Sequence, residues 1–240
     1  DLGAQVKSYV ADVAREEDVV AFFEKVVSDF GRLDALINNA GILRDKSFQN
    51  MTDEDWDLIF DVHVRGAYKV THAAWPLMRE QGYGRIVFTT SAAGIYGNFG
   101  QTNYSAAKLA QLGMAQTLAT EGRMKKICVN TIAPIAGSRL TDSVMPNVVL
   151  DLLKPEFVTP LVVKLCDENS EVTNGLFEVG AGFLAEVRWE RTQGAYLDTE
   201  AGFEAEDIDA SWAKITDFTD AAHPADIGEA NKAIFAGLKR

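Results

Sequence analysis

The chain has 240 residues, and 35 acidic against 23 basic side chains leave it a formal charge of −12. That sign repels the phosphates of a nucleic acid, while 47% apolar and 24% charged residues are the mix of a globular domain, not of a disordered, collagenous or coiled-coil chain. Two cysteines, Cys128 and Cys166, make no disulfide framework and point to a reducing compartment. No uninterrupted apolar run has the length of a membrane span. The opening Asp1-Leu2-Gly3-Ala4-Gln5 lacks the basic start and apolar stretch of a signal peptide, so secretion is not expected.

Short apolar runs alternate with amphipathic stretches, the pattern of α/β architecture. Val6 to Val10 reads as a strand ending at Asp12. Glu16 to Phe30 reads as a helix, with Val19, Phe22, Phe23, Val26, Val27 and Phe30 at helical spacing and Gly31 as its stop. Leu33 to Ile37 is a strand leading into Asn38-Asn39-Ala40-Gly41. Thr52 caps a long helix with Asp53, Glu54 and Asp55 in its first turn; it runs through His63 to Met78, where Pro76 marks a kink or the last turns. Arg85 to Thr90 is a β-rich strand ending at Ser91, followed by a glycine-punctuated loop from Gly94 to Gly100. Asn103 to Gly122 is a helix lined by small residues. Lys126 to Ile132 is a strand broken by Ala133-Pro134-Ile135-Ala136-Gly137. Pro155 to Cys166 is a helix, and Gly175 to Val179 a last strand. From Gly180 the rhythm changes. An acidic loop covers Asp198 to Asp209, and Ser211 to Phe218 and Ile227 to Leu238 read as two helices of an appendage. The expected organisation is a core over 1–180 and an appendage over 181–240.

Three positions carry chemistry. Tyr104 and Lys108 lie four apart on one helix, hence on one face. An ammonium near a phenol favours the phenolate and pulls its pKa down from about 10, which suits the tyrosine to pass the proton when a hydride moves at a carbinol carbon. Ser91 ends a strand, where α/β sheets bind ligands, and its hydroxyl can hold a substrate oxygen. Tyr-x-x-x-Lys alone occurs by chance in roughly half of chains this size, and a serine thirteen residues earlier cuts that about tenfold. By themselves the three read equally as a surface tyrosine beside a solvated lysine. His72 and His223 are isolated, so no metal site is expected.

Asn38-Asn39-Ala40-Gly41 after a strand, Ser91, Tyr104-Ser105-Ala106-Ala107-Lys108, and Asn130-Thr131-Ile132-Ala133-Pro134 with Gly137 follow one another in this order. Together they resemble the classical short-chain dehydrogenase/reductase family over roughly Val6 to Val179. The resemblance implies a Rossmann-type, doubly wound parallel sheet. It implies Tyr104 as acid/base, Lys108 as its pKa partner and nicotinamide-ribose ligand, and Ser91 as the substrate-oxygen partner. It also places Asp12 and Val13 near the adenine, Asn39, Ala40 and Gly41 beside the dinucleotide, and Pro134 and Gly137 beside the nicotinamide. Where the family carries an asparagine in its proton relay this chain has His63, which reads either as a relay group near neutral pH or as a packed interfacial histidine. The family's first strand and glycine-rich phosphate turn are expected upstream of Asp1, in roughly 50 or more further residues; the 240 residues alone are expected to bind NAD weakly or not at all and to aggregate through exposed edges.

A narrower resemblance rests on Gly94-Ile95-Tyr96-Gly97-Asn98-Phe99-Gly100-Gln101, Val62-His63-Val64-Arg65-Gly66, Ala136-Gly137-Ser138-Arg139, Val144-Met145-Pro146 and the tail from Gly175 through Arg188-Trp189-Glu190-Arg191-Thr192. These segments resemble the (3R)-hydroxyacyl-CoA dehydrogenase part of type 2 peroxisomal multifunctional enzymes and its bacterial single-domain relatives, a subfamily that carries histidine at position 63. The resemblance implies NAD as cofactor, oxidation of a (3R)-hydroxyacyl-CoA in fatty-acid oxidation, and a homodimer. The compartment would be cytoplasmic in a bacterium and peroxisomal in a eukaryote, although Gly237-Leu238-Lys239-Arg240 is not the usual peroxisomal address. Ile135 departs from the polar residue expected there. A reductase acting on another carbonyl, such as a 3-ketoacyl carrier protein, and a non-catalytic dimerisation scaffold are the competing readings. Trp189, Phe203, Trp212 and Phe218 read as an acyl pocket or as anchors of the appendage. Arg188 and Arg191 read as phosphate ligands or as partners of the acidic loop.

Overall fold

The computed structural model describes residues 6–137 and 152–237. The motif residues Ser138, Arg139 and Val144 to Pro146 lie outside them. The chain divides into two compact units, Asp1–Glu186 and Val187–Arg240.

The first unit is a five-stranded sheet in the order β1 (Ala35–Asn38), β2 (Gly84–Thr89), β3 (Ile127–Pro134), β4 (Leu176–Gly180) and β5 (Phe183–Glu186). The first three pairings are parallel and the last is antiparallel. Among the described residues the α-helices of this unit are α1 (Glu16–Phe30), α2 (Asp53–Phe60), α3 (Ala67–Gln81), α4 (Ala92–Tyr96), α5 (Thr102–Gly122) and α6 (Thr159–Cys166). Every residue of β2 is buried, which is what a parallel strand covered on both faces requires. Successive side chains point to opposite faces. Ile86 and Phe88 pack in a core with Val19 and Phe23 of α1, Val70, Ala74 and Met78 of α3, and Ala115 and Ala119 of α5. Val87 packs with Leu161 and Leu165 of α6. This is the Rossmann-type, parallel-dominated sheet that the sequence implies.

Arg85 is buried at the start of β2 without an acidic partner among the described ion pairs. Its guanidinium donates instead to the carbonyls of Gly84 (2.9 Å), Lys126 (3.1 Å), Asp167 (3.3 Å) and Glu168 (2.9 Å). The last two follow α6, so a fixed cation meets the negative end of that helix while four of the five guanidinium N–H groups find carbonyl acceptors. One side chain thus ties β2, β3 and α6 together at the N-terminal end of the sheet.

Several expectations are corrected. Val6 to Val10 is not a strand: residues 6–12 take no regular pairing, and Val6 and Val10 are exposed, because an extended segment becomes a strand only when a neighbour supplies the ladder. The stretch from Gly94 to Gly100 is not all loop, since α4 occupies Ala92–Tyr96 before Gly97 and Gly100 turn the chain at positive φ. The long helix after Thr52 is interrupted by a π-helical turn at Asp61–Gly66, and Pro76 lies inside α3. β3 continues through Pro134. The antiparallel β5 follows a two-residue turn in which Ala181 and Gly182 both have positive φ, the geometry of a tight hairpin. Its pairing with β4 carries the first unit to Glu186.

In the second unit α7 (Ala205–Ile215) and α8 (Ile227–Gly237) are the helices. α7 begins six residues earlier than the hydrophobic pattern implies. Glu204 and Asp207 form a reciprocal capping box there, so acids that read as loop are the start signal of a helix. Arg191 forms a backbone bridge with Ala222 and donates to the Ala230 carbonyl at 2.7 Å; it takes carbonyl partners within the unit, not the acidic stretch. No helix among the described residues is long and apolar enough to cross a membrane.

Candidate active site

The parallel strands deliver their C-terminal ends to one side of the sheet. β1 ends at Asn38, whose side-chain amide donates to Thr71 Oγ1 at 2.9 Å and so anchors the turn to α3; Asn39, Ala40 and Gly41 follow. β2 ends at Thr89, and Ser91 is the N-cap of α4, its Oγ accepting from the Ala93 N–H at 3.2 Å. That bond leaves the serine hydroxyl proton free to donate. β3 ends at Pro134, with Gly137 three residues on. α5 crosses this end of the sheet and presents Tyr104 and Lys108 toward it.

The approach of α4 to α5 depends on Gly94: a Cβ there would stand 2.8 Å from Lys108 Cβ. Below that contact the Lys108 ammonium donates to the Thr89 carbonyl at 2.6 Å, and Thr90 Oγ1 donates to the Lys108 carbonyl at 2.6 Å. Lys108 is only 3% exposed, and burial pulls its pKa down to about 8 because the low-dielectric interior disfavours the charged form. Its Nζ lies 5.5 Å from the centroid of the Tyr104 ring.

Burial pushes the Tyr104 phenol above its ordinary value; a hydrogen bond from Ser91 opposes the rise and the carboxylate of Asp45 adds to it. The direct lowering expected from Lys108 is therefore corrected: in the free protein desolvation wins, and Ser91 is the group that eases ionisation.

His63 sits in the π-helical turn. Such widened turns recur at functional sites, and here Gln111 Nε2 of α5 donates to the His63 carbonyl at 2.6 Å. The imidazole meets the Tyr104 ring edge to face at 5.3 Å. Its Nε2 stands 3.1 Å from the Ile42 N–H and 2.8 Å from the Ile42 carbonyl, so either neutral tautomer finds a partner there. Nδ1 has none among the described residues. Gly41 admits the ring: a Cβ on residue 41 would lie 2.6 Å from His63 Cε1. Burial, with the nearby Lys108 charge, pulls the histidine pKa down to about 4, so the ring is neutral at physiological pH. The unfolded chain binds that proton near pH 6.5, and the folded one only near 4. Stability should therefore fall as pH drops through this window, by roughly 3 kcal/mol in all. Urea titrations of wild type and His63→Gln at pH 7 and pH 4.5 check it; equal losses in the two proteins would show that His63 does not drive the slope.

Ser91, Tyr104, Lys108, His63 and Gly41 thus form one cluster. Asn39 and Ala40 instead line a cavity of about 270 Å³ together with Val13, Ala11, Val62 and Gly66. Asp12 builds the turn before α1: its Oδ1 accepts from the Ala14 N–H and its own N–H donates to Asp18. Tyr104, Lys108, Pro134 and Gly137 do not line that cavity. Sequence reasoning missed Thr89, Thr90, Gly94 and Gln111. Thr90 and Gln111 are buried polar residues, and their burial is a tertiary property that their neighbours in sequence do not announce. The Thr89 carbonyl carries no sequence signal.

A dinucleotide fits the groups present. The Lys108 ammonium has three N–H groups and gives one to Thr89, which leaves two for the hydroxyls of a ribose. The Val13–Ala40 cavity is lined mainly by apolar side chains, with the carboxamides of Asn38, Asn39 and Gln111 and the Tyr9 ring among them, suited to a flat heterocycle.

A parallel sheet whose C-terminal edge gathers a serine, a tyrosine and a buried lysine defines a nicotinamide-dependent oxidoreductase of the Rossmann class. The chain belongs to the short-chain dehydrogenase family, whose model matches residues 1–147; enzymes of this family use NAD or NADP. The chain is 50% identical, over 99% of its length, to the mouse peroxisomal multifunctional enzyme type 2, of which it spans 33%. It is 42% identical, over 92% of its length, to a short-chain type dehydrogenase/reductase of Mycobacterium tuberculosis, of which it spans 77%. The structure of full-length peroxisomal multifunctional enzyme type 2 from Drosophila melanogaster superposes with a TM-score of 0.82 at 35% identity, over 98% of this chain and 41% of that one.

Proposed function

We propose that the protein oxidises (3R)-hydroxyacyl-CoA thioesters to 3-ketoacyl-CoA with NAD as cofactor, in fatty-acid oxidation. The observation that carries this reading is the cluster of Ser91, Tyr104 and Lys108 at the sheet edge, in a chain half identical to a peroxisomal multifunctional enzyme. In a eukaryote the compartment is the peroxisome, in a bacterium the cytoplasm, and the working form is a homodimer. The core runs through β5 to Glu186, and the appendage follows from Val187.

NAD, when bound, supplies the hydride acceptor. Everything else falls to the chain. Ser91 donates its hydroxyl proton to the substrate oxygen and holds it beside the phenol. Tyr104 accepts the proton of the 3-hydroxyl. Lys108 would hold the nicotinamide ribose and, as a cation in a dry site, stabilises the phenolate that must form before the proton moves. His63, neutral and with Nδ1 unpartnered, is the relay group through which that proton leaves. Asn39, Ala40, Gly41, Pro134 and Gly137 would border the dinucleotide, with Asp12 and Val13 at its adenine end.

The test is stereochemical. The (3R) thioester should be oxidised with NAD+ and its (3S) isomer should not, because Ser91 and Tyr104 approach the carbinol from one side only. Comparable rates on both isomers would rule the substrate assignment out. A carrier-protein reductase would instead favour a 3-ketoacyl carrier protein over the CoA thioester in the reverse direction.

A further inference from the structure

Asn103 has no exposed surface, and both its donors and its acceptor oxygen are engaged. Its Nδ2 donates to the carbonyl of Arg44 at 3.2 Å and to that of Asp55 at 3.1 Å, and its Oδ1 accepts from the Tyr104 N–H at 2.8 Å. Two donors and one acceptor in a short planar group are what this junction demands, and among the side chains of this length only asparagine supplies them. Aspartate would turn a charge toward two carbonyl oxygens, and alanine would break all three bonds.

The three partners are not local to one element. Arg44 belongs to the segment that leaves Gly41 and Ile42, the residues against the His63 ring. Asp55 belongs to α2, which runs on into the π-helical turn carrying His63 itself. Tyr104 follows Asn103 in α5. We propose, on the reading of Tyr104 as the acid/base given above, that Asn103 is a positioning residue: it locks the backbone of Tyr104 to both segments that hold His63, and so fixes the phenol relative to Ser91 and His63.

The neighbouring bonds separate this role from a merely structural one. The 44–47 segment is fastened without Asn103, by the Lys46 N–H on the Gly100 carbonyl (2.8 Å), by Gln101 Nε2 on Asp45 (2.7 Å) and by the Lys46–Asp55 ion pair (2.7 Å). The start of α5 has its own first bond, from the Ser105 N–H to the Gln101 carbonyl at 2.7 Å. What Asn103 alone provides is the side-chain link to Tyr104. Removing it should leave the fold in place and loosen the phenol. Small misplacements of a reacting group cost up to about 100-fold in rate.

The experiment compares wild type with Asn103→Ala and Asn103→Asp in NAD+-dependent oxidation of a (3R)-hydroxyacyl-CoA, with cooperative melting as the check on folding. Expected is a fall in kcat of about 10- to 100-fold with KM for both substrates changed less than about threefold. The acid limb of the kcat profile should also move to higher pH, because a displaced phenol loses the Ser91 hydrogen bond that lowers its pKa. Folded variants with unchanged kcat and an unchanged limb would overturn the proposal, as would a loss carried by KM alone. A readout without turnover covers variants that do not fold and a wild type that rejects the thioester. In the unmodified protein the Tyr104 amide should exchange with solvent as slowly as amides in the middle of α5. Exchange as fast as a frayed helix start overturns the assignment even if the substrate reading stands, and slow exchange supports it even if that reading falls.

Discussion

Tyr104→Phe should lose turnover by roughly 10²- to 10⁴-fold, the contribution of a positioned general acid/base, while the protein stays folded. The substitution removes one oxygen. The ring keeps its edge-to-face contact with His63, and the Ser91 Oγ keeps its bond to the Ala93 N–H, so only the hydrogen bond between serine and phenol disappears. NAD affinity should change little, since the groups assigned to the dinucleotide other than the phenol are untouched. Steady-state oxidation of a (3R)-hydroxyacyl-CoA, with NAD binding followed by fluorescence, reads both quantities. A mutant within threefold of wild-type kcat would remove Tyr104 from the mechanism.

The second large effect is expected at Lys108. Methionine has nearly the same reach but neither charge nor donors. Lys108→Met should lower turnover by about 100-fold or more, because the phenolate loses a close cation in a dry site. NAD affinity should drop about tenfold or more, since hydrogen bonds from a charged donor are worth about 1.5–3 kcal/mol each. Stability moves differently. The wild-type lysine carries a pKa of about 8 against the ordinary value near 10.4, so below pH 8 the fold bears a desolvated charge that costs about 3 kcal/mol. That cost is relieved between pH 8 and pH 10.4 as the folded protein releases the proton while the unfolded chain still holds it. The mutant should lack this alkaline gain in stability, and at pH 7 it should be about as stable as wild type, the lost bond to Thr89 offsetting the removed charge. A catalytic defect explained by unfolding at pH 7 would contradict the assigned role.

Much of this arrangement is legible in the sequence, for identifiable reasons. α1 spans Glu16–Phe30 as read, because its apolar residues repeat at helical spacing and Gly31 closes it at positive φ. β2 and β3 announce themselves by β-branched and apolar runs with polar stops. Ser91, Tyr104 and Lys108 are legible through spacing and through the family resemblance. Three kinds of feature are not. The π-helical turn adds a residue to a helix whose composition stays helical throughout, so nothing local marks the register change at His63. The strand expected at Val6–Val10 has the right residues, but pairing is a property of the neighbour. The shift of the Tyr104 phenol is a balance of burial against the Ser91 bond, and spacing alone shows only the nearby lysine. Asn103 stood inside a recognised motif, yet its role depends on two carbonyls 48 and 59 residues away.

The carbonyl cage around Arg85 has a consequence for how this fold can change. The cation ties two strands and a helix at the end of the sheet remote from the reacting groups. Structural security and chemistry are therefore spatially divorced. The catalytic rim can carry costly features, such as an unpartnered imidazole nitrogen and a desolvated ammonium, because integrity is secured at the far pole. Substitutions along the rim can accordingly retune what is bound there without risking collapse, whereas the same tolerance ends at Arg85. A lineage diversifying its substrates would explore the first region and leave the second alone.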